Sequence, residues 1–477
     1  MYDVVIVGAG ISGCFIARDL SRYQLSVAVV EKANDVANGA TMANSAIVHS
    51  GHDPKPGTLK AKLNVEGNRM YEDICKELHV DFQRVGAYVV ASCEEQLPHL
   101  EELYNQAKER NVPVEYVERE ELFASEPNIT KSAVRAISLP STGIIYPWEV
   151  AIALMENAIE NGVELFLNEE VKSIDKKDSS YVVHTSTKEL EAKVVINCAG
   201  VYADEIYKMV SDNVGFEITP RKGEYFVLDH TNKPLVNRVI YPLPSAKGKG
   251  VLVVPTTHGN ILLGPNSDVI NDKSAINNTK EALDYVKREL PNIVENIPMG
   301  QVIRNFAGLR PTGTTGDFII EEAKDAKNFV NVAAIESPGL ASAPAISKYV
   351  IDTIVSNLID LKEKDNFKSE RAPYVDLKKL SIEERNELVK KDPRFARIVC
   401  RCEQITEGEI VAAIHRPCGA TTVKGVKKRI RPGMGRCQGG FCEPLVVDIL
   451  SRELGKSKME ICLDSPESKL FVQKTKE

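Results

Sequence analysis

The chain has 477 residues, 43% of them hydrophobic, which is ample for a large core and more than one domain. A net charge of -7 argues against nucleic acid as a general partner. No apolar run approaches the roughly 20 residues needed to span a bilayer, and with a strand starting almost at Met1 no signal peptide is expected, so the expected compartment is cytoplasmic.

In chain order, residues 3–7 read as a strand that enters the turn Gly8-Ala9-Gly10-Ile11-Ser12-Gly13. A helix follows with Ile11, Phe15, Ile16 and Leu20 at helical spacing, then a strand over 26–30, making a βαβ start. Helical spacing of Val150, Ile152, Leu154 and Ile159 predicts a helix over 147–161, stopped by Gly162 and followed by a strand over 163–167. Residues 194–198 form an apolar strand ending in Ala199-Gly200. Residues 223–265 alternate as antiparallel strands with turns at Pro244, Gly248 and Gly259, and helix returns over 343–360. The expected architecture is an α/β nucleotide-binding domain (about 1–80, 145–210 and 325–360) interleaved with an antiparallel α+β substrate domain (about 81–144 and 211–324). Residues 361–395 are charge-rich and read as a linker, with a capping box opening at Ser381. Residues 396–455 form a compact, mainly helical module, and 456–477 a C-terminal tail.

Each glycine of the first turn has a separate job. Gly8 permits the tight turn, Gly10 lets a pyrophosphate approach the backbone, and Gly13 lets the helix pack on the strand. The helix N-terminus offers N–H groups and partial positive charge, and Glu31 ends the second strand where a carboxylate accepts from ribose hydroxyls. Val171 sits where a second βα layer covers an adenine, and Gly200 ends a further nucleotide-facing turn. This multiplicity of turns favours FAD over NAD.

Four of the ten cysteines cluster near the C-terminus, as a C-x-C pair (Cys400, Cys402) and a C-x4-C pair (Cys437, Cys442). In a cytosolic chain such clustering favours metal over disulfide. Four thiolates suit a [2Fe–2S] cluster, but zinc also takes four cysteines, so the count leaves both open, beside an empty redox-thiol site. Cys418 and Cys462 lack paired partners, and Cys14, Cys75, Cys93 and Cys198 read as ordinary thiols. A capping box at Thr406 opens a helix through Ile414, and a second helix, 443–454, starts just after Cys442 with its dipole toward the thiolates. The basic run Lys424, Lys427, Lys428, Arg429, Arg431 and Arg436 reads as a solvated helix face, as compensation of cluster charge, or as a dock for an acidic electron-transfer partner.

Residues 1 to about 355 resemble the D-amino-acid-oxidase-like flavoprotein superfamily. The segments that carry this are Ala43–Gly51, Pro56–Ala61, Gly248–Val251, Phe306–Pro311 and Glu336–Leu340, and they look most like its glycerol-3-phosphate dehydrogenase/oxidase branch, with L-2-hydroxyglutarate dehydrogenases close by. The resemblance implies FAD contacts at Ser45, Ser337, Gly339 and Leu340. It also implies His49 over the flavin ring as a general base, ahead of His52, since a neutral imidazole suits that role near pH 7. Arg310, between Gly308 and Pro311, and Lys249, between two glycines, are implied to hold the substrate's anionic group.

Residues 399 to about 454 resemble the bacterioferritin-associated-ferredoxin-like [2Fe–2S] domain, which carries the four cysteines over one by one. A simple oxidase needs no such cluster. The implied activity is therefore an FAD-dependent dehydrogenase that oxidises glycerol 3-phosphate to dihydroxyacetone phosphate by hydride transfer. Electrons would pass through the cluster to a protein acceptor such as an NAD-linked flavoprotein. The alternatives are a hydroxy-acid dehydrogenase and, from another class, a redox-sensing iron–sulfur binding protein. No amphipathic anchor stands out, though related enzymes deliver electrons to quinones at membranes.

Overall fold

The structure, a computed structural model, describes residues 1–230, 233–244 and 250–473. The turn expected at Gly248 and the candidate Lys249 lie outside the described residues.

The first strand (β1, Tyr2–Val7) buries Val4, Val5 and Ile6 completely, as a strand covered on both faces must. It sits mid-sheet, parallel to Val27–Glu31 (β2) on one side and to the end of Glu189–Asn197 on the other. Glu164–Leu167 and Phe329–Ala333 extend the parallel part. The strand Glu189–Asn197 is longer than its apolar run predicts. Its first residues, through Ala192, pair antiparallel with Tyr181–His184, while Ala192 to Asn197 run parallel to β1. The helices Ile11–Leu20 (α1), Leu59–Leu78, Pro147–Glu160 and Gly339–Val350 pack into one core on one face of this sheet.

The helix expected over 343–360 starts earlier, at Gly339, and passes through a π-helical turn at Ile351–Val355 before ending at Leu358. Pro344 lies inside it and has no N–H to give the carbonyl of Leu340. The buried hydroxyl of Tyr71 donates to that carbonyl instead, at 2.5 Å.

A second, nine-stranded sheet is built around Ile218–Leu228 and Val302–Gly313, which run antiparallel with Arg221 opposite Arg310 and Gly223 opposite Gly308. It departs from the all-antiparallel expectation at one seam, where Val239–Pro242 lies parallel to Ala87–Ala91. Apolar cores fill both its faces.

The C-terminal region has its own apolar core, built from Ile410, Val426, Val446 and Leu450 on three helices and joined by Ile461. Both capping boxes read from the sequence, at Ser381 and Thr406, are present. The basic run is not a solvated face. Lys428, Arg429 and Arg431 are buried, and the first two pair with Asp35 in the loop after β2. Lys428 Nζ also donates to Asn38 Oδ1 at 2.8 Å. A second tie centres on the fully buried Glu156, which accepts from Arg416 at 2.8 Å, from Tyr374 at 3.0 Å and from Arg371.

Candidate active site and iron–sulfur centre

The C-terminal ends of the parallel strands open onto a cavity of about 1180 Å³ that reaches across to the second sheet. That is room for a dinucleotide and a small substrate. At its floor Gly8 has φ +102, in the left-handed region, and a Cβ there would lie 2.6 Å from the carbonyl oxygen of Cys198. A Cβ on Gly13 would lie 2.0 Å from the Gly8 oxygen, so α1 closes directly on the turn. Ile11 N–H donates to Thr41 Oγ1 at 2.9 Å, which ties the start of α1 to the next loop. Glu31 bridges the turn, accepting from Ala9 N–H at 2.8 Å and Ala33 N–H at 2.9 Å, and burial pushes its carboxyl above the usual range.

Gly8, Gly10, Glu31, Val171 and Gly200 all line this cavity. Gly13 is off its wall, packed behind Gly8. Further round are Ser45 and His49, and then Ser337, Gly339 and Leu340, where the helix from Gly339 presents its N-terminus without a side-chain cap. Ser45 Oγ lies 3.1 Å from Tyr225 Oη. His49 is held at both ends. Its carbonyl accepts from Asn64 at 2.8 Å and Asn68 at 3.0 Å, and its Nδ1 lies 2.9 Å from the hydroxyl of Tyr241. His52 is buried and bonded to Ser50 Oγ at 3.0 Å, away from the cavity wall.

Arg310 lines the cavity opposite the nucleotide turn. Its Nη2 lies 3.4 Å from the Asn266 carbonyl, and its buried Nη1 has no hydrogen-bond partner among the described residues. The guanidinium crosses diagonally over Gly223, where a Cβ would lie 2.5 Å from Nη2. Arg221, which sequence reasoning missed, faces Arg310 across the ladder, lines the same cavity, and also leaves a buried nitrogen, Nε, unpartnered among the described residues. Only strand pairing brings the two together.

The four clustered cysteines come together at one edge of the C-terminal region. Cys400 ends the strand Ile398–Cys400, Cys402 follows in an exposed turn, and Cys442 immediately precedes the helix Glu443–Leu454. Cys402 Sγ and Cys437 Sγ are 3.7 Å apart. Two sulfurs at about 2.3 Å from one tetrahedral metal stand about 3.8 Å apart. Cys400 pairs with Cys442, whose thiol hydrogen bond, with N–H groups of Gly433 and Glu403, holds Cys400 down to about 6. Against burial, N–H groups of Gly439 and Phe441 and the Cys402 thiol lower Cys437. By contrast burial raises Cys418 to about 11 and Cys75 to about 12. The thiols thus sit as two pairs, and among the described residues no three candidate ligands converge as a single metal ion requires. In each pair one thiol is lowered and the partner that donates to it, Cys442 or Cys402, is raised, so the sulfurs act as two coupled pairs, an arrangement that suits a two-iron cluster.

A family model described as FAD dependent oxidoreductase matches residues 3–353. The chain belongs to that family. A second model, a BFD-like [2Fe-2S] binding domain, matches residues 398–452. Glycerol 3-phosphate dehydrogenase of Caloramator mitchellensis is 52% identical over 477 residues, covering 100% of this chain and 99% of that protein. Glycerol 3-phosphate oxidase of Mycoplasma genitalium is 32% identical over 376 residues, 76% of this chain and 97% of that one. The FAD-bound, dithionite-reduced L-α-glycerophosphate oxidase of Mycoplasma pneumoniae superposes with a TM-score of 0.74 at 31% identity, over 78% of this chain and 99% of that one. This oxidoreductase therefore uses FAD and a [2Fe–2S] cluster. Among its described residues no helix is long and apolar enough to cross a membrane.

Proposed function

We propose that the protein oxidises glycerol 3-phosphate to dihydroxyacetone phosphate and delivers the electrons through its cluster to a separate redox protein. The observation that carries this reading is the pair Arg221 and Arg310. Like charges directly opposed across a ladder are destabilising, and here both guanidinium groups also keep a buried nitrogen without a partner among the described residues. A doubly charged phosphate between them returns both losses. Lys249 is assigned as a third cation on the resemblance of its Gly-Lys-Gly segment alone. The names of the relatives point the same way.

FAD in the cavity supplies the acceptor for the hydrogen and electron pair that leave C2 of the substrate. The residues around it do the rest. His49 takes the hydroxyl proton, its ring positioned by the Tyr241 hydroxyl 2.9 Å from Nδ1. Arg221, Arg310 and Lys249 orient the phosphate. Gly8, Gly10 and the first turn of α1 receive the pyrophosphate, Glu31 the ribose, Val171 and Gly200 the adenosine side. Ser45 and Ser337–Leu340 border the ring, where the start of the Gly339 helix favours negative charge. Cys400, Cys402, Cys437 and Cys442 hold the cluster. Exposed Cys402 and Phe441, the latter 82% accessible, with exposed Arg401 and Arg436, give a partner access to it. An NAD-linked flavoprotein is the acceptor that fits one-electron delivery.

Anaerobic visible spectra before and after glycerol 3-phosphate test the reading. Flavin bleaching accompanied by loss of the broad thiolate-to-iron band supports it. A flavin that stays oxidised with glycerol 3-phosphate but bleaches with a 2-hydroxy acid replaces the substrate.

A further inference from the structure

We propose that Arg431, lodged between Glu403 and Tyr146, carries the electron path from the flavin cavity to the iron–sulfur centre. This rests on the flavin-to-cluster order proposed above. Arg431 follows the helix Val423–Ile430 with φ +70, in the left-handed region that glycine or asparagine enters at least cost. Its backbone caps the helix through Lys427 O at 2.9 Å and receives Met434 N–H at 3.0 Å, opening the turn that leads to Cys437. Any residue tolerant of that conformation would serve the backbone. The arginine is explained by what its buried side chain touches.

On one side Nε donates to Glu403 Oε2 at 3.1 Å. Glu403 is bonded covalently to Cys402, and its N–H is directed at the sulfur of Cys400. On the other side the guanidinium lies 5.3 Å from the ring centre of Tyr146, and Nη2 lies 3.5 Å from Asn260 Oδ1. Tyr146 is part of an aromatic group, 5.2 Å from His258 in a stacked arrangement and 4.7 Å from Trp148. Its preceding residue, Ile145, donates its N–H to the carbonyl of Ala46 at 3.1 Å. The neighbours of Ala46 in sequence, Ser45 and Ile47, line the flavin cavity. The series Ser45–Ala46, Ile145–Tyr146, Arg431, Glu403–Cys402 is therefore joined by covalent bonds, two hydrogen bonds and one cation–π contact. The ties at Asp35 and Glu156 fix the C-terminal region to the body but touch no cluster cysteine. Arg431 meets both the residue beside a cluster cysteine and the aromatic beside the flavin loop.

One electron crosses at a time: the reduced flavin loses one and one ferric ion becomes ferrous. Two crossings, with the cluster re-oxidised in between by the external one-electron acceptor, and release to solvent of the proton that arrived with the hydride return the flavin to its starting state.

The test is rapid anaerobic mixing of the full-length holoenzyme with glycerol 3-phosphate, following flavin and cluster absorbance separately. The variants are Arg431→Leu, Tyr146→Leu and Tyr146→Phe, with iron content and thermal midpoint measured for each. The expected result is flavin bleaching within about twofold of the unaltered protein, and cluster bleaching slowed about tenfold or more in the two leucine variants. Tyr146→Phe keeps the ring and restores the rate. Flavin and cluster bleaching in step in both leucine variants, at full iron content, overturns the proposal. Should Arg431→Leu lose iron, Tyr146→Leu decides alone, since it alters no bond within the C-terminal region, and normal cluster reduction there also overturns the proposal. A flavin that glycerol 3-phosphate does not reduce in the unaltered protein removes the substrate reading instead, and photoreduction of the flavin then gives the same comparison of cluster rates.

Discussion

Arg429 donates to both carboxylate oxygens of Asp35, at 2.9 Å each, so a helix of the C-terminal region is locked to the loop following β2 across 394 positions of sequence. Lys428 shares the same carboxylate at 2.9 Å, and both cations are buried. Removing one partner of a buried ion pair leaves uncompensated charge at a cost of about 3–5 kcal/mol. Asp35→Ala is expected to lose stability of that order and to expose residues 361–395 to protease, measured by denaturation and limited proteolysis. The sign with pH is fixed. Burial alone would raise the Asp35 carboxyl, but Arg429 and Lys428 hold it at about 2, below the unfolded value of about 3.9. The charge contribution is therefore complete above pH about 4 and fades as pH falls toward about 2, so the stability gap to Asp35→Asn should narrow over that window in denaturant midpoints.

Gly223 leaves the space that the Arg310 guanidinium occupies. Gly223→Ala is expected to displace it, raising KM for glycerol 3-phosphate by about tenfold or more, about 1.4 kcal/mol of anion binding. FAD content should stay unchanged. Steady-state kinetics with an artificial acceptor reads this, and an unaltered KM would remove Arg310 from the substrate site.

Tyr71 supplies the hydrogen bond that Pro344 cannot give to Leu340. Tyr71→Phe keeps the ring packing and orphans that carbonyl, with an expected loss of about 1–3 kcal/mol. Leu340 also lines the flavin cavity, so weaker FAD retention in dialysis should accompany the lower thermal midpoint.

Tyr241→Phe removes the hydroxyl 2.9 Å from His49 Nδ1 and leaves the packing. A fall in kcat with little change in KM is expected, smaller than the roughly 100-fold to 10,000-fold loss that His49→Ala should cause as removal of a general base. Equal KM increases in both would place His49 in binding instead.

Cys437→Ser is expected to abolish the iron–sulfur absorbance and lower bound iron, while flavin reduction by substrate persists. Cys418→Ser, at a thiol that burial raises to about 11, should retain full iron. Metal analysis and visible spectra separate the two.

What the sequence made legible is local. The turn from Gly8 to Gly13, the caps at Ser381 and Thr406 and the spacing of the four cysteines each depend on residues a few positions apart, and the fold follows them closely. The missed parts depend on distant partners. Tyr241 reaches His49 across 192 positions, and Arg221 meets Arg310 only through ladder register. The basic run misleads for the same reason. A tally of lysines and arginines reports charge but not the aspartate or glutamate each will find, so Lys428, Arg429 and Arg431 look solvent-facing until the chain closes on Asp35 and Glu403.

The buried carboxylate at position 35 also limits how such proteins can be recombined. A C-terminal region grafted onto an oxidoreductase with an apolar residue at the matching place would bring two cations into a dry seam with nothing to neutralise them. The two halves are therefore a matched set, and a working chimera must exchange the loop after β2 together with the helix Val423–Ile430.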